Sequence, residues 1–277
     1  MGNMRLLLEI SLLYFLQGVP YGMQTKYIPL IMRRRGIGLS TIGLSNLISL
    51  PWILKFSWAN FFDRFANTGR EWVVTCLCLL SFCCLFLDLN SSSSLFLLPL
   101  IFMNFLSASL DIAVDALAIK KFDAKDLGYC NICHVVGYKI GILFAGGFLT
   151  ALSHYISLPQ FIYFQSLVYG LAAIYFAKKS DLFNSKSGFK SKHNHQNNSQ
   201  YTSWKSFSVL FGNNQLWILV FVFFYKMGEQ GFTSMYPLYL IDNGLSLSRV
   251  GMVTGIFGQL FSIFGSSMGG ILISKFR

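Results

Sequence analysis

Long apolar blocks alternate with short polar breaks along almost the whole chain. Several blocks reach about 20 residues, the length that an α-helix needs to cross the hydrocarbon core of a bilayer. The pattern predicts eight membrane-spanning helices, at about 6–32, 41–62, 72–89, 95–119, 129–152, 159–177, 215–241 and 250–273. The chain is therefore predicted to be an all-α, multi-pass integral membrane protein.

One polar stretch is much longer than the other breaks. Residues 178–205 are rich in Ser, Asn, Lys and His and contain few apolar side chains. Such a segment cannot bury enough apolar surface to fold, so we predict a flexible linker. The linker divides the chain into an N-terminal six-helix half, 1–178, the linker itself, 179–205, and a shorter C-terminal part with two helices, 206–277.

The composition agrees with a membrane environment. Hydrophobic residues make up 54% of the chain and charged residues only 12%, whereas about 25% of the residues of a soluble domain are charged. The net charge is +11, but the basic residues lie between the apolar blocks, where anionic lipid and the positive-inside rule account for them. Membrane lipid is therefore an expected partner, and nucleic acid is not.

The distribution of basic residues predicts the orientation of the chain. With the N-terminus in the cytoplasm, 14 of the 22 Lys and Arg residues lie on the inner side, 4 on the outer side and 4 within the spans. The opposite orientation would place most of them outside, against the positive-inside rule. The run Arg33–Arg35 is a local exception, which we interpret as a solvated outer loop.

The end of the first span is repeated at the end of the seventh. A shift of 208 positions places residues 27–43 on residues 235–251, and it matches Pro29 with Pro237 and Gly36 with Gly244. Shared Pro and Gly residues are informative because they constrain backbone geometry. The repeat therefore indicates that a six-helix half is followed by a second half in the same orientation.

Several short motifs resemble the major facilitator superfamily. Asp63-Arg64 followed by Gly69-Arg70 is similar to the Asp-Arg-x-Gly-Arg loop of that family, with an insertion between the two pairs and Asn60 in place of the leading glycine. Other segments look like the AmpG permease and acetyl-coenzyme A transporter branch of the family. These segments are Gly18–Gly22, Leu54–Trp58, Leu110–Ala116, Val136–Gly141 and Gly146–Gly147.

The resemblance implies a major facilitator fold with a six-helix N-terminal half and the first two helices of a second half. By the plan of six helices per half, about four helices would be absent, and a fragment, a splice product and a truncated gene model all remain open. The implied function is secondary transport by alternating access, with acetyl-CoA as the leading substrate. A permease for a muropeptide or another solute and a non-transporting truncated protein are the alternatives.

Charged residues inside the predicted spans are the main candidates for function, because a charge in the bilayer is costly and tends to be retained for a purpose. The resemblance implies that the first, fourth and seventh spans line a central cavity, so most of these residues would face the substrate path. The candidates are Lys26, Asp111, Asp115, Lys139, Lys226 and Glu229.

Each candidate also has a structural interpretation. Asp111, Asp115 and Lys139 can pair with one another to hold helices together, and Lys139 has two possible partners, Asp111 or an anionic substrate group. Lys26 can extend towards the outer surface. Lys226 and Glu229 can neutralise each other. With Lys55 included, the interior charge sums to +1, which favours an organic anion, and coupling to protons remains open.

Helix-breaking residues and one cysteine motif complete the predictions. Gly18, Pro20 and Gly22 predict a hinge or a substrate-facing break in the first span, with a simple kink as the alternative. The sequence from Cys130 to His134 fits a c-type haem attachment motif, but it begins the fifth span on the cytoplasmic side, where haem is not attached in this way. No catalytic residues, cofactor or metal are predicted. Six further glycines are predicted to allow close helix packing: Gly141, Gly146, Gly147, Gly265, Gly269 and Gly270.

Overall fold

The computed structural model describes residues 2–59, 69–87, 97–122, 127–179 and 215–276, and in these residues a helix occurs at each of the eight predicted positions. We name the helices α1 to α8 in chain order. Their bounds are α1, Gly2–Gly22, Met23–Tyr27 and Ile28–Arg34; α2, Leu39–Ser45, Asn46–Ser49 and Leu50–Leu54; α3, Gly69–Leu85; α4, Leu97–Lys121; α5, Leu127–Ile142, Leu143–Phe148 and Leu149–Ala151; α6, Leu158–Lys178; α7, Gln215–Asp242; α8, Leu247–Val250, Gly251–Phe257 and Gly258–Phe276.

Six of the described helices are long and apolar enough to cross a membrane, judged by length and composition. The two others are α3, which has 17 residues, and α7. Asp63 and Arg64 of the predicted loop motif, and positions 180–205 of the predicted linker, lie outside the described residues. The six spans are Met4–Arg34, Leu39–Ala59, Leu98–Lys121, Cys130–Ala151, Leu158–Lys178 and Leu247–Met268.

The helix α1 lies at the centre of the described bundle, where it contacts α5 and α4, while α3 packs against α6 and α4. Its apolar side chains, such as Leu13, Leu16 and Met23, are fully buried. Three segments are π-helical: Met23–Tyr27, Leu143–Phe148 and Gly251–Phe257. The segment in α5 packs against those of α1 and α8, so the three irregular turns lie side by side.

Glycines allow α1 and α5 to approach until their backbones touch. A Cβ atom added to Gly18 would lie 2.1 Å from the carbonyl oxygen of Tyr138, and one added to Gly141 would lie 2.3 Å from that of Phe15. Gly22 is also confined, because an added Cβ atom would lie 2.7 Å from the Cα atom of Ile142. The packing role predicted for Gly141 is confirmed, and Gly18 and Gly22 share it.

A second glycine contact joins α5 to α8. A Cβ atom added to Gly255 would lie 2.6 Å from the Cα atom of Gly147, and Gly251 is confined by Thr150. Gly265 does not take part in this contact, because none of the residues that the structure describes lies within 4 Å of the position of its missing side chain. The contact instead uses Gly251 and Gly255, which lie about three to four turns nearer the start of α8. Gly269 and Gly270 lie outside the part whose burial is described.

The helix α1 continues through Pro20. Proline has no N–H group, so the carbonyl oxygen of Leu16 loses its partner within the helix. The hydroxyl group of Tyr169 on α6 donates a hydrogen bond of 3.0 Å to that oxygen. A buried side chain therefore satisfies the carbonyl group that the proline frees, and the first irregularity in α1 comes only at the π-helical turn.

The sequence repeat appears as two turns with the same hydrogen bonds. Gly36 after α1 and Gly244 after α7 have φ values of 81° and 83°, in the left-handed region that favours glycine. In the first turn, the backbone amides of residues 35, 36 and 37 donate hydrogen bonds to the carbonyl groups of residues 31, 33 and 32, at 3.0, 2.9 and 3.1 Å respectively. In the second turn, the amides of residues 243, 244 and 245 donate to the carbonyl groups of residues 239, 241 and 240, at 3.1, 2.9 and 3.1 Å. The repeat is therefore structural as well as sequential.

Candidate functional site

An ion pair between α2 and α4 forms the centre of the candidate site. The Nζ atom of Lys55, just after Leu50–Leu54, lies 2.6 Å from an Oδ atom of Asp111. The two side chains differ in burial, because Lys55 is 37% exposed and Asp111 only 3%. Asp111 was predicted to contact Lys139 or the substrate. Lys55 had been recognised as an intramembrane charge but not selected as a site residue.

Three half-buried aromatic rings lie beside this pair, one each from α1, α2 and α5. We call Tyr21, Trp52 and Tyr138 the aromatic trio. Their ring centroids are 6.2 Å apart for Tyr21 and Trp52, 5.5 Å for Tyr21 and Tyr138, and 6.1 Å for Trp52 and Tyr138. The Lys55 Nζ atom lies 6.0 Å from the Trp52 ring centroid, at the outer limit of a cation–π contact. A cation and three aromatic faces thus share one region.

Two amide side chains fix the orientation of Trp52. Its Nε1–H group donates a hydrogen bond of 3.0 Å to Asn104 on α4. The amide nitrogen of Asn104 in turn donates to Gln24 on α1 and, at 2.9 Å, to the carbonyl of Leu100. Neither the two amides nor the aromatic trio had been predicted from the sequence. A signal was present, because Tyr21 and Tyr138 lie in segments that carry the family resemblance.

Asp115 lies one turn from Asp111 on α4 and has a different partner. The buried Tyr14 on α1 donates a hydrogen bond of 2.7 Å to an Oδ atom of Asp115. The ring of His134 stacks on Tyr14, with 4.2 Å between centroids and 19° between planes. His134, which belongs to the haem-like motif, therefore packs against α1 and extends the polar region from α4 to α5.

Lys139 forms its contacts with α8. Its Nζ atom donates hydrogen bonds of 2.9 Å to both the carbonyl and the hydroxyl oxygen of Ser262, and it also contacts the hydroxyl group of Ser266. Asp111 was one of the two partners predicted for Lys139, but Asp111 forms its ion pair with Lys55 instead. Lys139 lies at an interhelical position that sequence periodicity did not reveal, and its contact with a substrate anion remains a prediction.

Lys26 is half-buried in a narrow cleft between α1, α5, α7 and α8. Pro29, Thr233 and Thr254 are among the residues that line this cleft. The stem of the Lys26 side chain packs beside Gly146. Within the part of the chain that the structure describes, Lys26 has neither a hydrogen-bond partner nor an ion-pair partner. Its predicted roles, a substrate contact or extension to the surface, remain predictions.

Lys226 and Glu229 form a pair on the surface of α7. The distance between their charged atoms is 2.7 Å, and their side chains are 65% and 45% exposed. Residues 220–233 of this helix are almost entirely exposed. The predicted mutual neutralisation is therefore present, whereas the predicted contact with a substrate path remains untested.

A bidentate ion pair joins the ends of α1 and α7. The Nε and Nη2 atoms of Arg33 lie 2.6 and 2.8 Å from the two carboxylate oxygens of Asp242. The Arg33 guanidinium lowers the pKa of Asp242, just beyond the seventh predicted span, below its ordinary value. Arg33 therefore departs from the prediction of a solvated loop.

The helical bundle, the apolar spans and the interhelical charges define a multi-pass integral membrane protein of the transporter class. The sequence matches the family model described as Major Facilitator Superfamily over residues 10–277. The chain therefore belongs to the major facilitator superfamily, as its motifs had indicated.

Its curated relatives lie in the AmpG branch. The chain is 24% identical over 289 residues to a Rickettsia conorii protein carrying the transporter name AmpG 4, which covers 97% of this chain and 68% of the relative. It is 26% identical over 284 residues to the anhydromuropeptide permease of Escherichia coli strain K12, with 96% and 55% covered. The chain thus spans 55 to 68% of the length of these relatives. No solved structure matches it.

Proposed function

We propose that this chain forms the substrate-binding part of a secondary transporter that moves a small organic anion by alternating access. The observation that carries the proposal is the position of Lys55. Its half-exposed ammonium group lies beside the aromatic trio and is held by a buried carboxylate. A cation that solvent can reach and that has a fixed position is suited to bind an anion reversibly.

The surroundings of Lys55 favour a substrate with an anionic group and a flat or ring-shaped face. Tyr21, Trp52 and Tyr138 offer aromatic surfaces that such a face can cover. Gln24 and Asn104 add amide groups, and Asn104 holds the Trp52 ring in place. The arrangement therefore combines one charge contact with orientation by ring packing.

Two substrate classes fit this chemistry. Muropeptides combine sugar rings with carboxylates, and one relative of this chain is named an anhydromuropeptide permease. Acetyl-CoA combines phosphates with an adenine ring, and it is the substrate implied by the resemblance of the motifs to acetyl-CoA transporters. Within that branch we propose a resemblance to major facilitator superfamily domain-containing protein 3. The names of the relatives support the muropeptide, which we therefore rank first.

The proposed transport cycle is a rocking motion between two halves. Residues 1–178 form one half, 206–277 belong to the other, and 179–205 connect them on the cytoplasmic side, with the N-terminus also cytoplasmic. The equivalent turns after α1 and α7 support equivalent positions for these helices in the two halves. The loop motif Asp63, Arg64, Gly69 and Arg70 is assigned to the cytoplasmic side of the same half.

Uptake into proteoliposomes tests the proposal. The 277-residue chain is reconstituted, and counterflow of a radiolabelled anhydromuropeptide and of labelled acetyl-CoA is measured in separate arms. We expect saturable uptake of one probe and a loss of at least tenfold in the Lys55→Ala variant. The matched control is Lys178→Ala, which removes an exposed lysine at the end of α6 and should leave uptake unchanged.

The outcomes separate the competing functions. Uptake that is equal in the Lys55→Ala and Lys178→Ala variants would exclude Lys55 from the site. Absence of uptake and of binding for both probes, in protein that is folded, would contradict the proposal for these substrates. That second result would favour a non-transporting protein whose exposed α7 surface contacts another membrane protein.

A further inference from the structure

We propose that the cleft around Lys26 is an anion-binding site, which takes a carboxylate or phosphate group of the substrate when α1 and α5 separate from α7 and α8. The inference rests on the proposed function, because it requires a transporter of organic anions that alternates between two states. It adds a second cation to the substrate path. In this structure Lys55 is partly exposed while Lys26 lies in a closed cleft, so the two cations serve the substrate in different states.

The first argument is that the helices around Lys26 have no spare counter-charge for it. The described parts of α1, α5, α7 and α8 carry three acidic side chains between them. Each of the three already has a basic partner, in the pairs Glu9–Lys179, Glu229–Lys226 and Asp242–Arg33. An ammonium group that is partly buried without a partner is costly, and an anion from solution is the partner that can offset this cost.

The second argument is that packing does not require a lysine at position 26. Four pairs of positions that the repeat relates by its offset of 208 line the cleft, which therefore lies between the two copies. The pairs are Thr25 and Thr233, Lys26 and Ser234, Pro29 and Pro237, and Leu30 and Leu238. The equivalent of Lys26 is thus a short, uncharged side chain in the same cleft. Because a serine fills this position in one copy, packing does not account for the charge in the other.

The third argument is the polarity and the size of the cleft. Four hydroxyl groups line it, from Thr25 on α1, Thr233 and Ser234 on α7, and Thr254 on α8. Each donates a hydrogen bond to the backbone carbonyl group four residues earlier in its own helix, and a hydroxyl group can rotate to donate to an anion instead. The cavity measures about 10 Å³, which is barely room for one water molecule. A carboxylate or phosphate group therefore enters only after the cleft widens.

The cleft has walls from both parts of the chain, so the proposed rocking motion changes its width. The helices α1 and α5 belong to the predicted N-terminal half, and α7 and α8 to the C-terminal part. Around the cleft, the two parts meet at the backbone contact of Gly147 with Gly255 and at the ion pair of Arg33 with Asp242. Separation of the two parts breaks both contacts. Because the predicted orientation places Arg33 on the outer side, Lys26 is then the cation that an anion from outside meets.

Uptake kinetics of charge variants test this role with the probe that is transported, the anhydromuropeptide or acetyl-CoA. Lys26→Met removes the charge and keeps a long side chain, whereas Lys26→Arg keeps the charge. We expect Lys26→Met to raise the half-saturation concentration by about tenfold or more, as for the loss of one charge-assisted hydrogen bond. The maximal rate should change little, because the lost contact is one of binding. Lys26→Arg should restore most of the affinity, and Arg34→Met, at an exposed position of the same helix, should change neither quantity.

A labelling measurement needs no transport. The chain in lipid nanodiscs is treated with sulfosuccinimidyl acetate, which acetylates accessible amines, and mass spectrometry gives the rates at Lys26 and at the exposed Lys178. Asp242→Asn should speed acetylation of Lys26, because it removes the ion pair that joins α1 to α7. Inorganic phosphate at constant ionic strength, or a bound probe, should slow acetylation of Lys26 and leave that of Lys178 unchanged.

The inference is overturned by either of two results. One is a normal half-saturation concentration in Lys26→Met, and the other is acetylation of Lys26 that neither phosphate nor a bound probe slows. The failure of the proposed function gives a different result. If neither probe binds while phosphate still protects Lys26, the proposed substrates are wrong and the cleft is nevertheless an anion site.

Discussion

The helices α1 and α7 share a sequence repeat and end in the same kind of turn, but they differ in burial and in their contacts with neighbouring helices. Both end in a turn with a glycine at positive φ and the same three hydrogen bonds. In α1, most positions from 10 to 30 are buried, with α4 and α5 packed against the helix and Tyr169 of α6 in contact with it, whereas positions 220–233 of α7 are exposed. The repeat therefore determines the local geometry of the helix end, and neighbouring helices determine burial.

The polar residues of the two helices follow this difference. On α1, the buried Glu9 contacts Arg5, Tyr175 and Lys179 and so links two helices. On α7, Lys226 contacts Glu229 on the same helix. The expectation that an intramembrane charge is functional led to the choice of the exposed pair Lys226 and Glu229 as candidates, whereas Glu9 was not chosen. Contact across helices distinguishes the two cases.

The largest expected effect concerns the glycine contact that α1 has and α7 lacks. Gly18→Val would place a Cβ atom 2.1 Å from the Tyr138 carbonyl oxygen, so α1 and α5 would have to separate. We expect almost complete loss of monodisperse protein in size-exclusion chromatography. Gly228→Val on α7 is the control, since no residue in the described part of the chain lies within 4 Å of that position. Equal yields of the two variants would contradict the glycine contact.

The next effect concerns the interhelical ion pair. Lys55→Ala leaves the buried Asp111 without its cation, which should lower the free energy of unfolding by about 3 kcal/mol. The double variant Lys55→Ala/Asp111→Ala should regain most of that loss, because no uncompensated charge remains. Thermal unfolding in nanodiscs measures both. Lys226→Ala on exposed α7 should leave the midpoint of thermal unfolding unchanged. If Lys226→Ala lowered the midpoint as much as Lys55→Ala, the interhelical pair would be no more important for stability than the local pair.

A smaller effect is expected where Tyr169 contacts the backbone of α1. Tyr169→Phe leaves the carbonyl of Leu16 unsatisfied, at a cost of about 1–3 kcal/mol. In a Pro20→Ala background, the restored N–H group can bond to Leu16, so the same substitution should cost less. If Tyr169→Phe lowered the free energy of unfolding just as much in the Pro20→Ala background, the hydrogen bond to the Leu16 carbonyl group would not be the cause of the loss. The control is Tyr163→Phe, on the exposed face of α6.

The smallest effect is expected at the ion pair that joins α1 to α7. The pKa of Asp242 is lowered by Arg33, so the pair contributes its full stability above the ordinary pKa of an aspartate and loses it as the pH falls through the lowered value. Asp242→Asn should therefore lower the melting temperature slightly at neutral pH and not at all in strong acid. A difference that persists or grows as the pH falls would contradict this assignment.

The helices and the repeat could be predicted because each depends on neighbouring residues. Apolar block length gives the spans, and a glycine at positive φ gives the turn. The partner of Asp111 could not be predicted, because periodicity gives the helix face on which a residue lies but not the helix that this face contacts. The side chains of Lys55 and Lys139 are both long enough to reach Asp111 from a neighbouring helix. The aromatic trio was missed for the same reason, since its rings come from three helices.

The π-helical turn in α1 also bears on the alignment of the repeat. A π-helical turn contains one more residue than the α-helical turn it replaces, and α7 is α-helical throughout Gln215–Asp242. Within the turn and after it, an offset of 208 places Thr25 on Thr233 and Pro29 on Pro237. Before it, an offset of 209 places Gly22 on Gly231. An alignment that keeps both matches places a gap of one residue opposite Met23 or Gln24, at the π-helical turn that α1 has and α7 does not.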